Sequence, residues 1–152
     1  RYEPVEAAGG TLHFRHFFGK GGVLPGDPRE GTAYAETRIW SDAARDLPCW
    51  IGFNTPSTSD RRCGPMVTGK WSHEDGRVWV NGREIAPPEW ANAGTVPGDE
   101  VPFVNEGYAY RPPTMVRLKE GWNRVRVKAP RGKDGWKWMF TFLPLEDVRV
   151  EP

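Results

Sequence analysis

The sequence contains few of the residues from which recognisable catalytic and metal sites are built. It has two cysteines and three histidines in 152 residues, and it has no Gly-x-Ser-x-Gly motif, phosphate-binding loop or Cys-x-x-Cys pair. On a strand, the rings of His13 and His16 would point to opposite faces, which is poor geometry for a shared metal. Because no nucleophile and base can be paired, we expect a protein that is not an enzyme and needs no cofactor.

Neither sign of charge is in excess. Lys and Arg number 21 and Asp and Glu number 20, for a formal net charge of +1. Nucleic-acid-binding domains normally show a marked basic excess, so we expect no nucleic-acid partner. No apolar run approaches eighteen residues, which predicts no membrane span.

The first ten residues lack the charged-then-apolar pattern of a signal peptide, and the chain does not begin with Met. We therefore expect one domain of a larger exported protein whose export signal lies elsewhere. The location expected for it is secreted, cell-surface or periplasmic. A length of 152 residues suits a single domain, residues 1–152, with its own core.

Long segments free of helix-breaking residues are also scarce. The 18 glycines and 15 prolines make up about a fifth of the chain, against an average nearer one eighth. Only one stretch longer than ten residues, 32–47, lacks both. Since helices rarely tolerate either residue in their interior, the composition excludes a helical protein and predicts an all-β fold.

Period-two alternation between turn signals predicts about eight short strands in a two-sheet β-sandwich of the jelly-roll type. Asn81-Gly82 suits a type I′ hairpin turn, because both central residues of that turn need positive φ. The residues expected to mark the strands are Leu12, Phe14 and Phe18; Ala33, Ala35, Thr37 and Ile39; Cys49, Ile51 and Phe53; Val78 and Val80; Arg83, Glu84 and Ile85; Val116 and Leu118; Val125 and Val127; Trp138, Phe140 and Phe142; and Val148 and Val150.

Two segments, 19–31 and 87–113, are predicted to be loops. The second is 27 residues long and is bracketed by two Pro-Pro pairs. A connection of that length in a compact domain is usually functional, and loops on a rigid sandwich commonly carry binding residues. We therefore expect the binding site in residues 87–113.

Aromatic residues are the positive signal, since the chain has eight tryptophans. We expect Trp122 and Trp138 to be structural, whereas Trp90 lies in loop sequence without apolar alternation. An exposed ring offers a flat apolar surface to a sugar, and adjacent planar polar groups can bond its hydroxyls. The predicted ligand-binding residues are Trp90, Asn105, Glu106, Tyr108, Tyr110 and Arg111. The alternative is a rigid strand entry in which Arg111 pairs with Glu106.

The two cysteines leave two alternatives open. Cys49 alternates with Ile51 and Phe53, which predicts a small buried apolar side chain. Cys63 lies in a loop-like context before Gly64-Pro65. In an exported protein the two thiols could form a disulfide instead.

Residues 75–85, with the sequence DGRVWVNGREI, and 118–128, with LKEGWNRVRVK, resemble the galactose-binding-domain-like β-sandwich superfamily. The V-x-V-N-G hairpin and the L-x-x-G-x-N-x-V-x-V strand pair recur in it as structural signatures. The chain is more closely similar to accessory modules of secreted bacterial glycoside hydrolases, such as sialidases and β-hexosaminidases. The resemblance covers roughly residues 31 to 145.

This resemblance implies a non-catalytic carbohydrate-binding module that targets an attached hydrolase to glycans carrying terminal galactose, N-acetylated sugars or sialosides. The expected partners are thus a glycan and the catalytic domain of the same polypeptide. Many members of the superfamily carry a structural calcium, but no calcium loop can be matched here. Two alternatives remain: a structural spacer that packs on the catalytic domain without binding sugar, and a small independent hydrolase.

Overall fold

A computed structural model describes residues 3–26, 30–53, 57–58, 70–71, 75–87, 109–110, 113–131 and 138–151. These ranges contain eleven strands, eight of them with three or more residues, and two 3-10 helices at Ala8–Gly10 and Phe14–Phe17. The strands are β1 (Thr11–His13), β2 (Gly31–Ser41), β3 (Arg45–Gly52), β4 (Ser57–Thr58), β5 (Arg77–Val80), β6 (Arg83–Glu84), β7 (Ala109–Tyr110), β8 (Thr114–Leu118), β9 (Gly121–Arg131), β10 (Met139–Pro144) and β11 (Arg149–Glu151). Within the same ranges, no helix has the length and apolar character needed to cross a membrane.

The strands form two antiparallel sheets. One has four strands in the order β1-β10-β3-β8, and the other has five in the order β11-β2-β9-β5-β6, while β4 and β7 pair separately. Strand β2 pairs with β9 along eleven residues in one sheet, and β3 pairs with β8 in the other. This nested pairing across two sheets is typical of a jelly roll. The predicted all-β, two-sheet sandwich is confirmed.

The core lies between the two sheets and is built from every second residue of their long strands. Period-two alternation places those residues on the inner face of each sheet, where burial contributes about 1.5–3 kcal/mol per large apolar side chain. The five-stranded sheet supplies Ile39, Val78, Val80, Val125, Val127 and Ala129, and the four-stranded sheet supplies Leu47, Cys49, Ile51, Val116, Leu118 and Phe140. Most of the alternation predicted from the sequence is thereby confirmed.

The turn between β5 and β6 has the predicted conformation. Asn81 and Gly82 have φ angles of 53° and 80°, so both occupy the left-handed region that a type I′ turn requires. The Asn81 backbone N–H donates to the carbonyl of Arg124 at 2.8 Å, which fastens the turn to β9. The hairpin is therefore held at a fixed position on the edge of the five-stranded sheet.

One fully buried amide, that of Asn123, joins this hairpin to the turn between β8 and β9. Its Oδ1 accepts hydrogen bonds from Asn81 Nδ2 at 2.8 Å and from the Lys119 backbone N–H at 2.9 Å. Its Nδ2 donates to the carbonyls of Lys119 and Gly121, each at 2.9 Å, and more weakly to that of Ile39 at 3.4 Å. The side chain satisfies backbone groups that the tight turn leaves without strand partners.

The N-terminal segment differs from the sequence prediction. Leu12, Phe14 and Phe18 were expected on one face of a first strand, but β1 ends at His13 and a 3-10 helix begins at Phe14. The helix places Phe14 and Phe18 against the ring of Trp138, with centroid separations of 5.4 and 5.3 Å. Packing around this buried tryptophan thus replaces the alternation expected of a strand.

The 3-10 helix also changes the relative positions of His13 and His16 from those predicted. Instead of pointing to opposite faces, the rings of His13 and His16 stack with their centroids 5.2 Å apart. A 3-10 helix repeats every three residues, so side chains three apart lie on the same side. The prediction of opposite faces was wrong because it assumed an extended backbone.

Replacing Asn123 tests whether its amide stabilises the sandwich. We expect Asn123→Ala to lower the free energy of unfolding by about 3 kcal/mol, because it leaves several buried groups without partners. Chemical unfolding followed by tryptophan fluorescence measures the change. Glu120→Ala, an exposed residue of the same turn, is the control and should change the free energy by less than about 0.5 kcal/mol. Equal effects of the two variants would contradict the structural role of Asn123.

Candidate functional site

The residues predicted to bind sugar fall almost wholly beyond the described part of the chain. Trp90, Asn105, Glu106, Tyr108 and Arg111 lie outside the described residues. Only the backbone of Tyr110 is described, in β7, where it pairs with Ser57. The predicted loop site therefore stays a prediction, and the candidate site described below comes from the sheet instead.

The outer side of the five-stranded sheet carries a continuous set of aromatic and basic side chains. These residues alternate with the core residues of β2, β9 and β5, so they point away from the core. Direct cross-strand neighbours include the pairs Trp40 and Trp122, Arg38 and Arg124, Glu36 and Arg126, Tyr34 and Lys128, and Trp79 and Arg126. We call the set Tyr34, Arg38, Trp40, Trp79, Trp122 and Arg126 the aromatic face.

Trp122 lies at one end of the aromatic face. The ring of Trp40 meets it edge-on with centroids 5.3 Å apart, while the guanidinium groups of Arg38 and Arg149 lie 5.7 and 5.1 Å from its centroid. The Trp40 indole N–H donates to Asp42 at 2.6 Å, which fixes the orientation of that ring. This end of the face is thus formed by two tryptophans in edge contact, Trp122 beside two guanidinium groups and Trp40 hydrogen-bonded to a carboxylate.

Trp122 and Trp138 were both expected to be structural, but only one of them lies in the core. Trp138 is 5 % exposed, and its indole N–H donates to the carbonyl of Ala129 at 2.9 Å, which confirms its place in the core. Trp122 lies outside the core and is half-buried on the aromatic face. Glycine at position 121, with φ of 85°, starts β9 in the register that turns Trp122 outward.

The other end of the aromatic face contains Tyr34, Arg126 and Trp79 on three neighbouring strands. The Arg126 guanidinium lies 5.4 Å from the Tyr34 ring centroid, and Arg126 is the direct cross-strand neighbour of Trp79. The Tyr34 side chain is well exposed and Trp79 is half-buried. A ligand crossing the strands here would meet an aromatic ring, a guanidinium and a second ring in turn.

Asp42 accepts the indole N–H of Trp40, and the other four carboxylates around the aromatic face are paired with basic side chains. Their partners are Arg124 for Glu36 at 2.6 Å, Lys128 for Asp75 at 2.9 Å, Arg77 for Glu84 at 3.7 Å, and Arg149 for Glu151. The hydrogen bond from Lys128 and the charge of the nearby Arg77 lower the pKa of Asp75 below its ordinary value. These exposed pairs add little stability, but they neutralise each other's charge.

Two arginines of the aromatic face differ from those paired bases. In the part of the chain that the structure describes, Arg38 and Arg126 contact aromatic rings and no carboxylate. Their cross-strand neighbours, Glu36 for Arg126 and Glu151 for Arg38, form ion pairs with Arg124 and Arg149 instead. Neither Arg38 nor Arg126 therefore belongs to an ion pair among the described residues. An aromatic ring orients a guanidinium but leaves its N–H groups free to bind a ligand oxygen.

A second, apolar surface lies on the outer side of the four-stranded sheet. Met115, 57 % exposed, is the cross-strand neighbour of Pro48. Leu145, 39 % exposed, donates its backbone N–H to the carbonyl of Pro48 at 2.9 Å. Trp50 and Leu143 pair on the adjacent strands. We call Pro48, Trp50, Met115, Leu143 and Leu145 the apolar patch.

Cys49 is a free thiol with no exposed surface. Its sulfur donates weakly to the carbonyl of Leu47 at 3.7 Å. Burial raises the pKa of this thiol from its ordinary value of 9.0 to about 12, and the negative charge of Glu146 adds to the rise. The finding agrees with the reading of Cys49 as a small core residue; Cys63 lies outside the described residues.

No metal site is assigned from the described residues. Among them, no group of three or more His, Cys, Asp or Glu side chains is arranged to hold an ion. The calcium implied by the resemblance is therefore given no ligands here.

Comparisons with models of protein families, with curated proteins and with solved structures found no match to this chain. The case for a function consequently depends on the residues of the aromatic face and on the motifs of the sequence.

The buried thiol gives the domain a measurable alkaline instability. The unfolded chain loses the Cys49 proton near pH 9, whereas the folded chain keeps it to about pH 12, so stability falls as pH rises through that window. In a Cys63→Ala background, the free energy of unfolding should decline from pH 8 to 11. Adding Cys49→Ala should make that decline shallower. Parallel pH profiles for the two proteins would contradict this prediction.

Proposed function

We propose that this domain is a non-catalytic carbohydrate-binding module that holds an attached glycoside hydrolase at its glycan. The observation that carries the proposal is the aromatic face, where two exposed and two half-buried rings stand among guanidinium and carboxylate groups on one side of a sheet. The resemblance to galactose-binding-like modules, in the hairpin at Asn81 and the strand pair around Asn123, supports the same function.

The chemistry of the aromatic face suits a sugar. A pyranose presents C–H groups on its face and hydroxyls around its rim, so a ring binds the first while planar polar groups bind the second. Trp79 offers the ring, and Arg126 and Glu84 are its direct cross-strand neighbours. Donor and acceptor groups thus stand on either side of one stacking platform.

The length of the aromatic face suits a chain of sugars rather than a single residue. Tyr34 and Trp40 are six residues apart on β2, which separates them by about 20 Å. The predicted loop residues, Trp90 and Arg111 among them, would contact a terminal galactose, an N-acetylated sugar or a sialoside. In this proposal the loop binds the terminal sugar of a glycan, and the aromatic face binds the sugars that follow it.

A weak contact of this kind is useful because the domain is part of a longer exported polypeptide in the proposal. Binding by one module turns the encounter of the catalytic domain with the glycan into an intramolecular step, with an effective concentration set by the linker. The module then raises the local substrate concentration without any catalytic group of its own.

The apolar patch favours a second function, that of a spacer which packs on the catalytic domain. Met115 and Leu145 are large, exposed apolar side chains on one side of the sandwich. Contiguous exposed apolar surface commonly marks a protein interface. The two functions use opposite sides of the molecule, so variants of one side leave the other intact.

Stacking residues are tested by truncating them. We expect Trp79→Ala and Tyr34→Ala each to weaken binding to the best ligand on a glycan array by about tenfold or more, because each removes a stacking surface. Isothermal titration calorimetry measures the dissociation constants, and Met115→Ala on the opposite sheet is the control with unchanged affinity.

Two results would contradict the proposal. Unchanged affinity in both variants would remove the aromatic face from the binding site. If no glycan binds the wild-type domain while Met115→Ala weakens its association with a neighbouring catalytic domain, the spacer function is correct instead.

A further inference from the structure

We propose that the ligand of the aromatic face is an anionic glycan, a chain whose sugars bear carboxylate or sulfate groups. The inference rests on the proposed function and specifies the chemistry of its substrate. Its basis is the charge that remains on this sheet after every ion pair among the described residues has been counted.

The basic side chains of the face outnumber its carboxylates, and two of them are in no ion pair. Six basic side chains stand on or beside it in the described residues: Arg38, Arg77, Arg124, Arg126, Lys128 and Arg149. Of its five carboxylates, Asp42 accepts the indole N–H of Trp40, and the others are each paired with one base: Glu36, Asp75, Glu84 and Glu151. The face keeps a net positive charge, and Arg38 and Arg126 are the two bases outside its ion pairs.

The two arginines start from nearby backbone positions. Arg38 is the direct neighbour of Arg124, and Arg126 lies two residues further along the same strand. Diagonal neighbours of this kind are about 7–8 Å apart at their backbones. Each guanidinium also lies beside an aromatic ring, at 5.7 Å for Arg38 and 5.4 Å for Arg126. The sheet thus repeats one unit, a ring beside a guanidinium that is in no ion pair.

On the protein, an aromatic ring beside a guanidinium occurs twice. This arrangement fits a glycan in which successive sugar rings each carry an acidic group. A uronic acid or a sulfated sugar carries its charge at the rim of the pyranose, so stacking on an aromatic ring brings that charge beside the adjacent arginine. Guanidinium groups bind carboxylate and sulfate oxygens through two parallel N–H donors. A neutral sugar would stack on the same rings but would form no ion pair with Arg38 or Arg126.

The overall charge of the chain argues against a nucleic acid as the anionic ligand. A protein that binds a phosphate backbone normally carries a broad basic excess, whereas this chain has a formal net charge of +1. The aromatic face has six bases against five carboxylates, a local excess of one, and its two arginines outside the ion pairs stand beside aromatic rings.

Calorimetry with defined polymers tests the inference. The intact domain is titrated with polygalacturonate, with a sulfated glycosaminoglycan, with a neutral galactan and with duplex DNA. We expect one of the acidic glycans to bind at least about tenfold more tightly than the galactan, and its affinity to fall as salt rises. The first two arms distinguish a carboxylate ligand from a sulfate ligand.

Two double variants of equal net charge distinguish the effect of the two arginines on binding from the effect of the protein's net charge. The double variant R38Q/R126Q should weaken binding of the acidic glycan by about tenfold or more and weaken neutral binding much less, because glutamine removes the charge but keeps an N–H donor. The control R15Q/R117Q removes the same charge from exposed positions away from the aromatic face and should keep the wild-type affinity. Matching melting temperatures for the two double variants show that both are folded.

Five outcomes would overturn the inference. Equal loss in the two double variants would mean that only net charge matters, and equal loss of neutral binding in R38Q/R126Q would mean that the arginines act as general donors. DNA binding tighter than that of either glycan would replace the ligand class. If neutral glycans bind through Trp79 and acidic ones bind no better, the inference fails while the proposed function stands; if no glycan binds, both fail.

Discussion

The hydrogen bonds of the buried Asn123 amide are the interaction on which the architecture of the five-stranded sheet depends. The amide joins the hairpin at Asn81 to the turn at Lys119 and to β2, so three segments distant in sequence share one set of hydrogen bonds. Its position also fixes the register of β9, in which odd-numbered residues enter the core and even-numbered ones face outward. The aromatic face exists because that register places Trp122 and Arg126 on the same side as Tyr34.

This arrangement divides the work of the sandwich between its surfaces. The inner faces are apolar and stabilise the fold. The outer side of the five-stranded sheet instead carries large aromatic and charged residues, which add little stability there. Cation contacts orient Tyr34 and Trp122 before any ligand arrives. A preorganised surface with two arginines outside its ion pairs is consistent with the binding of an extended, charged glycan, since less side-chain entropy is then lost on binding.

Local patterns in the sequence predicted local structure well. The Asn81-Gly82 turn and the alternation along β2 were confirmed, because turn chemistry and period-two burial act over a few residues. The 3-10 helix after His13 was missed, since contact with Trp138, more than a hundred residues away, decides it. Tyr34, Arg38 and Trp40 alternate in the sequence with the predicted strand residues Ala35, Thr37 and Ile39, but the aromatic face could not be predicted without the pairing of β2 with β9. The predicted loop residues from Trp90 to Arg111 remain untested.

Nuclear magnetic resonance of the indole N–H groups, during titration with the preferred glycan, shows directly whether the aromatic face binds it. We expect the signal of Trp79 to shift with saturation, together with that of Trp40 or Trp122, while the signals of the core residues Trp71 and Trp138 keep their positions. Shifts confined to Trp90 would place the ligand in the predicted loop and contradict a binding role for the aromatic face.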